Sequence, residues 1–364
     1  FHMSKRIDDL INKLCLKNVN LEIKYNKDVF EFLDNFIKVK IPFAYNYGIK
    51  SSDTYSNNSK IIHGTHVLGI AAGKDVNLPV QSNFSGVAPE AQVIAMSVTN
   101  ANGQMSDATI TAAIDDAAKF GVTAINLSLG IKYSMFSTPL EKAVNTATKA
   151  GIFVSASSGN DGIGRNKTEV ICEDIDYSTS GVPANIESAS SVASVDVMNS
   201  GETVILSDMG EEITSLNSDL DMSWFSSWGT RANLELKPEI TAPGGGIISS
   251  YPDNRYAIMS GTSMAAPHIT GATTLINQYI DAELSNLSIE NKKNFIENLM
   301  MSTADIIYQD DGIINSPRHQ GAGLLDIEGA ITTPVILYND QGKTSVSLKD
   351  IENEFSVGFG PKIF

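Results

Sequence analysis

The stretch "VIAMSVTNANGQMSDATITAAIDDAAKFGVTAINLSLG", residues 93–130, holds two short apolar runs on either side of a segment with helical spacing. The first run, 93–98, reads as a strand. Ser106 is placed to cap a helix running to about Phe120, Gly121 stands just past its end, and "VTAINLSL" (122–129) reads as the next strand. Working outward, a second helix is expected from about Ser137 to Ala150, with Pro139 in its first turn and Gly151 beyond it, followed by the strand "IFVSAS" (152–157). Apolar runs alternating with amphipathic helices are the signature of an α/β fold, in which a parallel sheet is covered on both faces.

Further along, "TSMAAPHITGATTLINQYI" (262–280) is small or apolar almost all round, as expected of a helix buried at the centre of a domain, with Pro267 early enough to be tolerated. Residues 163–180 and 197–223 are polar and turn-rich and read as surface loops; residues 1–37 are Lys/Asp-rich and read as helix plus loop. From about Thr332 the pattern changes to alternation, with a turn signal at Asn339-Asp340-Gln341-Gly342. This reads as the opening of a β-rich accessory domain, which divides the chain at 1–330 and 331–364.

Composition excludes some classes. With 26 Lys+Arg against 42 Asp+Glu, a net charge of -16 and no basic cluster, nucleic acid is not an expected partner. No apolar run has the length of a membrane span, and Cys15 and Cys172 are too few and too far apart for a thiol metal site or a disulfide framework.

Three segments carry chemistry. In "SGTSMAAPH", Ser263 stands at the start of the buried helix, whose unpaired N–H groups favour negative charge; taken alone, it could equally be a plain cap. In "HGTHVLGIAAG" (63–73), His63 opens a helix and His66 follows on the same face at i, i+3. A zinc site is the rival reading, but zinc helices usually space their histidines i, i+4 with a Glu between, and no third ligand is marked. In "VSASSGNDG", Asn160 follows Ser158-Gly159 at the carboxyl end of a strand, where ligands gather in parallel sheets. A side-chain amide there can donate to an oxyanion, although Gly-Asn alone is an ordinary turn.

Together "HGTHVLGIAAG", "INLSLG", "SSGNDG", "FSSWGTRANLELKPEITAPGG" and "SGTSMAAPHITG", spread over residues 61–275, resemble the blocks of the subtilisin-like serine proteases. "VKIPFAYNY" (39–47), "PEAQVIAMSV" (89–98) and "SPRHQGAGLLDIEGA" (316–330) are similar to cell-envelope proteinases of the lactocepin type, in which β-sandwich domains follow the protease. The resemblance implies a three-layer α/β/α fold with a mostly parallel sheet, followed by the start of a β-sandwich-type domain. It implies Ser263 as nucleophile, His63 as general base, and Asn160 with the Ser263 N–H as oxyanion donors. Ser128, Leu129 and Gly130, with Ser158 and Gly159, would bind a polypeptide substrate as an extended strand. His66 is left as a buried neighbour. A secreted or envelope-attached location, outside the cell, follows from the same resemblance.

The family's triad also needs an aspartate at the end of a buried strand before the histidine. Asp8, Asp9, Asp28, Asp34 and Asp53 all stand in polar or amphipathic surroundings, so the acid and its strand are expected upstream of Phe1, and this chain is read as a fragment with impaired activity. The alternative is a catalytically inactive, protease-like binding or adhesion protein. A lipase-like hydrolase fits less well, because its nucleophile stands in Gly-x-Ser-x-Gly, whereas Ser263 stands in Gly-Thr-Ser-Met-Ala. No cofactor is expected for catalysis. The resemblance allows a structural calcium, with Asp310-Asp311 and Asp219–Asp221 as carboxylates to consider. Oligomeric state is not read from the sequence.

Overall fold

The computed structural model describes residues 40–52, 54, 59–74, 76–77, 83–130, 137–163, 178–197, 204–205, 220–231, 235–285, 291–340, 342–345 and 360–363. In chain order the longer elements are β1 (Phe43–Asn46), α1 (Ser59–Ala72), β2 (Ile94–Ser97), α2 (Asp107–Phe120), β3 (Ala124–Leu127), α3 (Thr138–Lys149) and β4 (Phe153–Ser157). There follow β5 (Ser190–Asp196), β6 (Ile240–Gly245), the hairpin β7 (Ile247–Tyr251) and β8 (Arg255–Met259), α4 (Thr262–Glu283) and α5 (Lys292–Thr303). Short α6 (Pro317–Gln320) and α7 (Ile327–Thr332) precede the ribbon of β9 (Val335–Tyr338) and β10 (Gly360–Ile363). The segment read as helix plus loop at 1–37, both cysteines and most of the two polar loops lie outside the described residues.

Local chemistry sets the helix limits where the sequence put them. Ser106 caps α2 by accepting from the Thr109 N–H, and Thr109 reciprocates to the Ser106 N–H, a capping box that satisfies two orphan donors. Gly121 ends α2 in the left-handed region at φ 67°, which only glycine enters without penalty. Ser137 caps α3, with Pro139 in the first turn.

Strands β3, β4, β5 and β6 form a parallel sheet in that order, with Ala124 opposite Phe153, Ser155 opposite Ser190 and Val192 opposite Ile240. β1 and β2 make a second parallel pair in which Phe43 faces Ile94. β4 is buried on both faces, so successive side chains serve different layers. Val154 and Ala156 pack with α2 and α3, while Phe153 packs with α4 and α5. The result is the expected three-layer α/β/α arrangement. α4 is the central helix, with Ala265, Ala266, Ile269, Ala272 and Ile276 all at 0% exposure. Its small residues permit close approach: a Cβ at Gly271 would lie 2.6 Å from the Val87 side chain.

The chain after 331 returns to this core. The Gly342 N–H closes the expected turn on the Asn339 carbonyl at 2.9 Å, β9 pairs antiparallel with β10, and Ile336 is buried in the same cluster as α5 and α7. No sandwich is formed by the described residues of this segment.

The segment leading into β6 carries a charge into the interior. Lys237, 1% exposed, donates from Nζ to the Ala189 carbonyl at 2.7 Å and to Glu239 at 2.6 Å, while the other Glu239 oxygen accepts the Ser191 N–H at 2.6 Å. Burial lowers the Lys237 pKa and raises that of Glu239, and the charge of each offsets part of the shift on the other. Lys237→Met should leave Glu239 uncompensated and lower the unfolding free energy by about 3 kcal/mol or more, measured by urea denaturation.

Candidate active site

The carboxyl ends of β3 and β4 and the N-terminus of α4 come together, and every segment singled out for chemistry except α1 lies at this junction. Ser263 is the second residue of α4 and half-buried, so its N–H is among the four helix-start amides without an intrahelical partner. The preceding Gly261 adopts φ 155° and ψ 158°, and a Cβ there would sit 3.3 Å from Asn160 Nδ2. Glycine is therefore required by the conformation, and any Cβ there would also crowd the amide by a few tenths of an ångström.

Pro267 is the sixth residue of α4, past the first turn. Having no N–H, it cannot bond the carbonyl four residues earlier, which belongs to Ser263. Ser128 Oγ supplies the missing hydrogen, donating to the Ser263 carbonyl at 2.6 Å. The same hydroxyl accepts from Asn126 Nδ2 at 2.9 Å, and Asn126 Oδ1 accepts from Thr270 on α4 at 3.2 Å. The end of β3 is thus buckled to α4 at two points, one of them on Ser263 itself.

Asn160 has its amide oriented by Thr262. Its Oδ1 accepts the Thr262 N–H at 2.9 Å and lies 2.9 Å from the Thr262 hydroxyl, which turns Nδ2 and both its hydrogens away from the helix start. The residue is exposed, with its polar tip toward solvent. Gly159 enters this turn at φ 118° and donates its N–H to Thr262 Oγ1 at 3.2 Å. Ser158 is buried, its N–H given to the Val192 carbonyl and its carbonyl taken by the Gly181 N–H.

Leu129 and Gly130 continue from Ser128 and line a cavity of about 160 Å³ together with Gln104, Met105, Ile110 and Leu140. Asp107 stands at its rim, accepting the Ser137 hydroxyl at 2.5 Å.

His63 is the fifth residue of α1 and half-buried. Val67, one turn further on the same face, shares an apolar cluster with Met264, the neighbour of Ser263, and Gly271 lies against the Ala71 carbonyl. α1 therefore runs alongside α4 in the same direction, which puts His63 at the level of the α4 N-terminus. Burial pushes the His63 pKa below its ordinary 6.5, and among the described residues no carboxylate acts on the ring. The five aspartates weighed as its acid lie outside the described residues.

His66 has the neighbour's place expected of it. It is fully buried, Nε2 lies 3.0 Å from the Ala257 carbonyl, and the His66 carbonyl accepts from Ser249 at 2.7 Å. Burial holds its pKa at about 4. Among the described residues no three His, Cys, Asp or Glu side chains are placed to hold a metal ion together; Asp311 accepts the Ile313 N–H in a turn, and Asp219 lies outside the described residues.

Two functional contributions escaped the sequence reading. The Ser128 hydroxyl had a signal, because a proline past the first turn always leaves the carbonyl at i−4 in need of a donor. Thr262 had none, since its action depends on a loop about a hundred residues away.

A family model described as the Subtilase family matches residues 18–323 of the 364. The chain is 25% identical to the PII-type proteinase of Lacticaseibacillus paracasei over 90% of its own length and 26% of that protein. It is 24% identical to the C5a peptidase of Streptococcus pyogenes serotype M3 over 98% of its length and 40% of that protein. It therefore spans about a quarter to two fifths of the length of these relatives. The solved structure of the prenylagaramide maturation protease PagA superposes with a TM-score of 0.54 at 23% identity, over 74% of this chain and 81% of that one, a likeness of fold.

Ser128→Ala should cost about 1–3 kcal/mol by stranding the Ser263 carbonyl. Pro267→Ala restores an N–H to that carbonyl, so the double variant Ser128→Ala/Pro267→Ala should lose less than Ser128→Ala alone. Urea denaturation of the three variants checks both statements.

Proposed function

Because the chain belongs to the subtilase family, we propose that it carries most of the catalytic domain of a serine endopeptidase acting on extracellular proteins. Ser263 Oγ attacks the scissile carbonyl, and His63 takes the hydroxyl proton and returns it to the leaving amine. The oxyanion is met by the Ser263 N–H and Asn160 Nδ2. The substrate lies extended along Ser128–Gly130, and one of its apolar side chains enters the cavity between Leu129, Ile110 and Leu140. A carboxylate beside the His63 ring would complete the triad; among the described residues none acts on it. We extend the proposal to location: secreted or attached to the cell envelope.

The observation that carries this reading is the orientation of the Asn160 amide. Two groups of Thr262 lie within hydrogen-bond distance of its oxygen, which leaves its N–H donors turned out beside the N-terminus of the helix that bears Ser263. One observation favours a second reading, an inactive binding or adhesion protein: among the described residues, burial alone acts on His63.

Cleavage of labelled casein separates the two. Activity that disappears in Ser263→Ala supports the peptidase. A folded chain that cleaves nothing, even when supplied with an upstream strand ending in aspartate, supports the binding protein. Asn160→Ala should lower kcat by about 10²–10³, a magnitude taken from subtilisin within this same family and not obtained from this chain.

The pH profile tests the acid. The working form of His63 is the neutral ring, and burial favours it, so the acid limb of kcat/KM should lie below the ordinary histidine value of 6.5. A carboxylate beside the ring would favour the charged form and move that limb upward. A limb at or above 6.5 in this chain would show that such a carboxylate is already present.

A further inference from the structure

Asn160 has to be held from both sides, because its loop leaves the sheet at Gly159 with φ 118° and has no ladder partner of its own. Thr262 holds the side toward α4. The opposite side is held by the segment 225–228, in which Ser227 is the centre. The Ser227 N–H donates to the Gly159 carbonyl at 3.0 Å, and Ser227 Oγ accepts the Asp161 N–H at 3.1 Å, so this one residue grips the backbone immediately before and immediately after Asn160. The clasp continues outward: the Gly162 N–H donates to the Phe225 carbonyl at 2.8 Å. Behind it, the Thr179 N–H reaches the Trp228 carbonyl at 2.9 Å, and the Trp228 N–H reaches Thr179 Oγ1 at 2.8 Å.

Ser227 is 0% exposed, so its hydroxyl does not touch solvent or a bound peptide. Its fit is tight, since a Cβ added at Gly159 would lie 2.6 Å from Ser227 Oγ. The contact is therefore specific for a glycine on one side and a small hydroxyl on the other. A misplacement of about 1 Å in a group that stabilises a transition state can cost about 100-fold in rate, and Ser227 Oγ holds the backbone N–H of Asp161, the residue immediately after Asn160.

We infer that Ser227 is a positioning residue for the oxyanion site: it fixes the Asn160 loop against the 225–228 segment so that Nδ2 is aimed before substrate arrives. The inference rests on the reading of Asn160 as an oxyanion donor.

The test compares Ser227→Ala, Asn160→Ala and the double variant in the full chain, with unfolding curves to show that each folds. Ser227→Ala should lower kcat about 10-fold or more with KM unchanged. It should weaken a peptide boronate, which forms a tetrahedral adduct on Ser263, by the same factor. It should leave unchanged the binding of the same peptide ending in an unreactive amide. In the Asn160→Ala background the Ser227 change should have no further effect on kcat, because the group it aims is gone. Ser227→Cys, which keeps the shape with a weaker acceptor, should fall between wild type and Ser227→Ala.

An unchanged kcat in Ser227→Ala, a change in KM alone, or an equal further loss in the Asn160→Ala background would overturn the inference and leave the peptidase reading standing. Failure of both Ser227 variants to fold would also overturn it, showing that the residue serves the fold as a whole. An Asn160→Ala variant with undiminished kcat would instead remove the oxyanion assignment on which the inference depends.

Discussion

A proline has no N–H to give, so the carbonyl four residues before Pro267 must find its hydrogen outside α4. That carbonyl belongs to Ser263, and the donor is Ser128 at the end of β3. One missing proton in the middle of a buried helix thus becomes a fastening between the helix and the sheet, at the residue where the candidate chemistry would start. Asn126 and Thr270 repeat the fastening one step further into the core. Loosening any member of this series moves Ser263 relative to the strand end on which a peptide would lie.

Asn160 is governed by the same economy of donors and acceptors. Its own segment offers it no ladder, so its position is the sum of bonds from Thr262 on one side and the 225–228 segment on the other. Three parts of the chain that are far apart in sequence, near 128, 160 and 227, meet because β3 and β4 are adjacent parallel strands whose carboxyl ends open at one pole of the sheet. The charged pair of Lys237 and Glu239 lies deep at the opposite ends of the strands, where it anchors the entry to β6 without entering the site.

Much of the fold was legible because its punctuation is local. Ser106, Gly121, Ser137 and Pro139 each act within a turn of the backbone they control, and the elements they bound fall within two residues of the sequence reading. The motifs at Asn160 and Ser263 could be located in the sequence for a related reason: they stand beside Gly159 and Gly261, at φ 118° and 155°, whereas the His63 block needs glycine further on, at Gly69 and Gly73, and Gly64 itself has open space around it. What was not legible is whatever depends on long-range pairing. Nothing in the alternation after Thr332 shows that Ile336 would join the core beneath α5, and nothing around Thr262 or Ser227 points to a partner loop some 70 to 100 residues distant. Pro267 is the intermediate case: its cost was foreseen as tolerable, but its consequence at Ser263 follows only when the i−4 carbonyl is counted.

Thr262 adds one more degree of freedom. Its hydroxyl carries a single hydrogen and lies within reach of two acceptors, the Gly159 carbonyl at 3.2 Å and Asn160 Oδ1 at 2.9 Å. The group is a rotor with two stops. At the first it braces the main chain; at the second it withdraws electron density from the amide and makes the Asn160 N–H groups stronger donors. If negative charge grows against those N–H groups, the second stop becomes the favoured one. The response then requires the turn of one hydroxyl hydrogen and no displacement of any heavier atom.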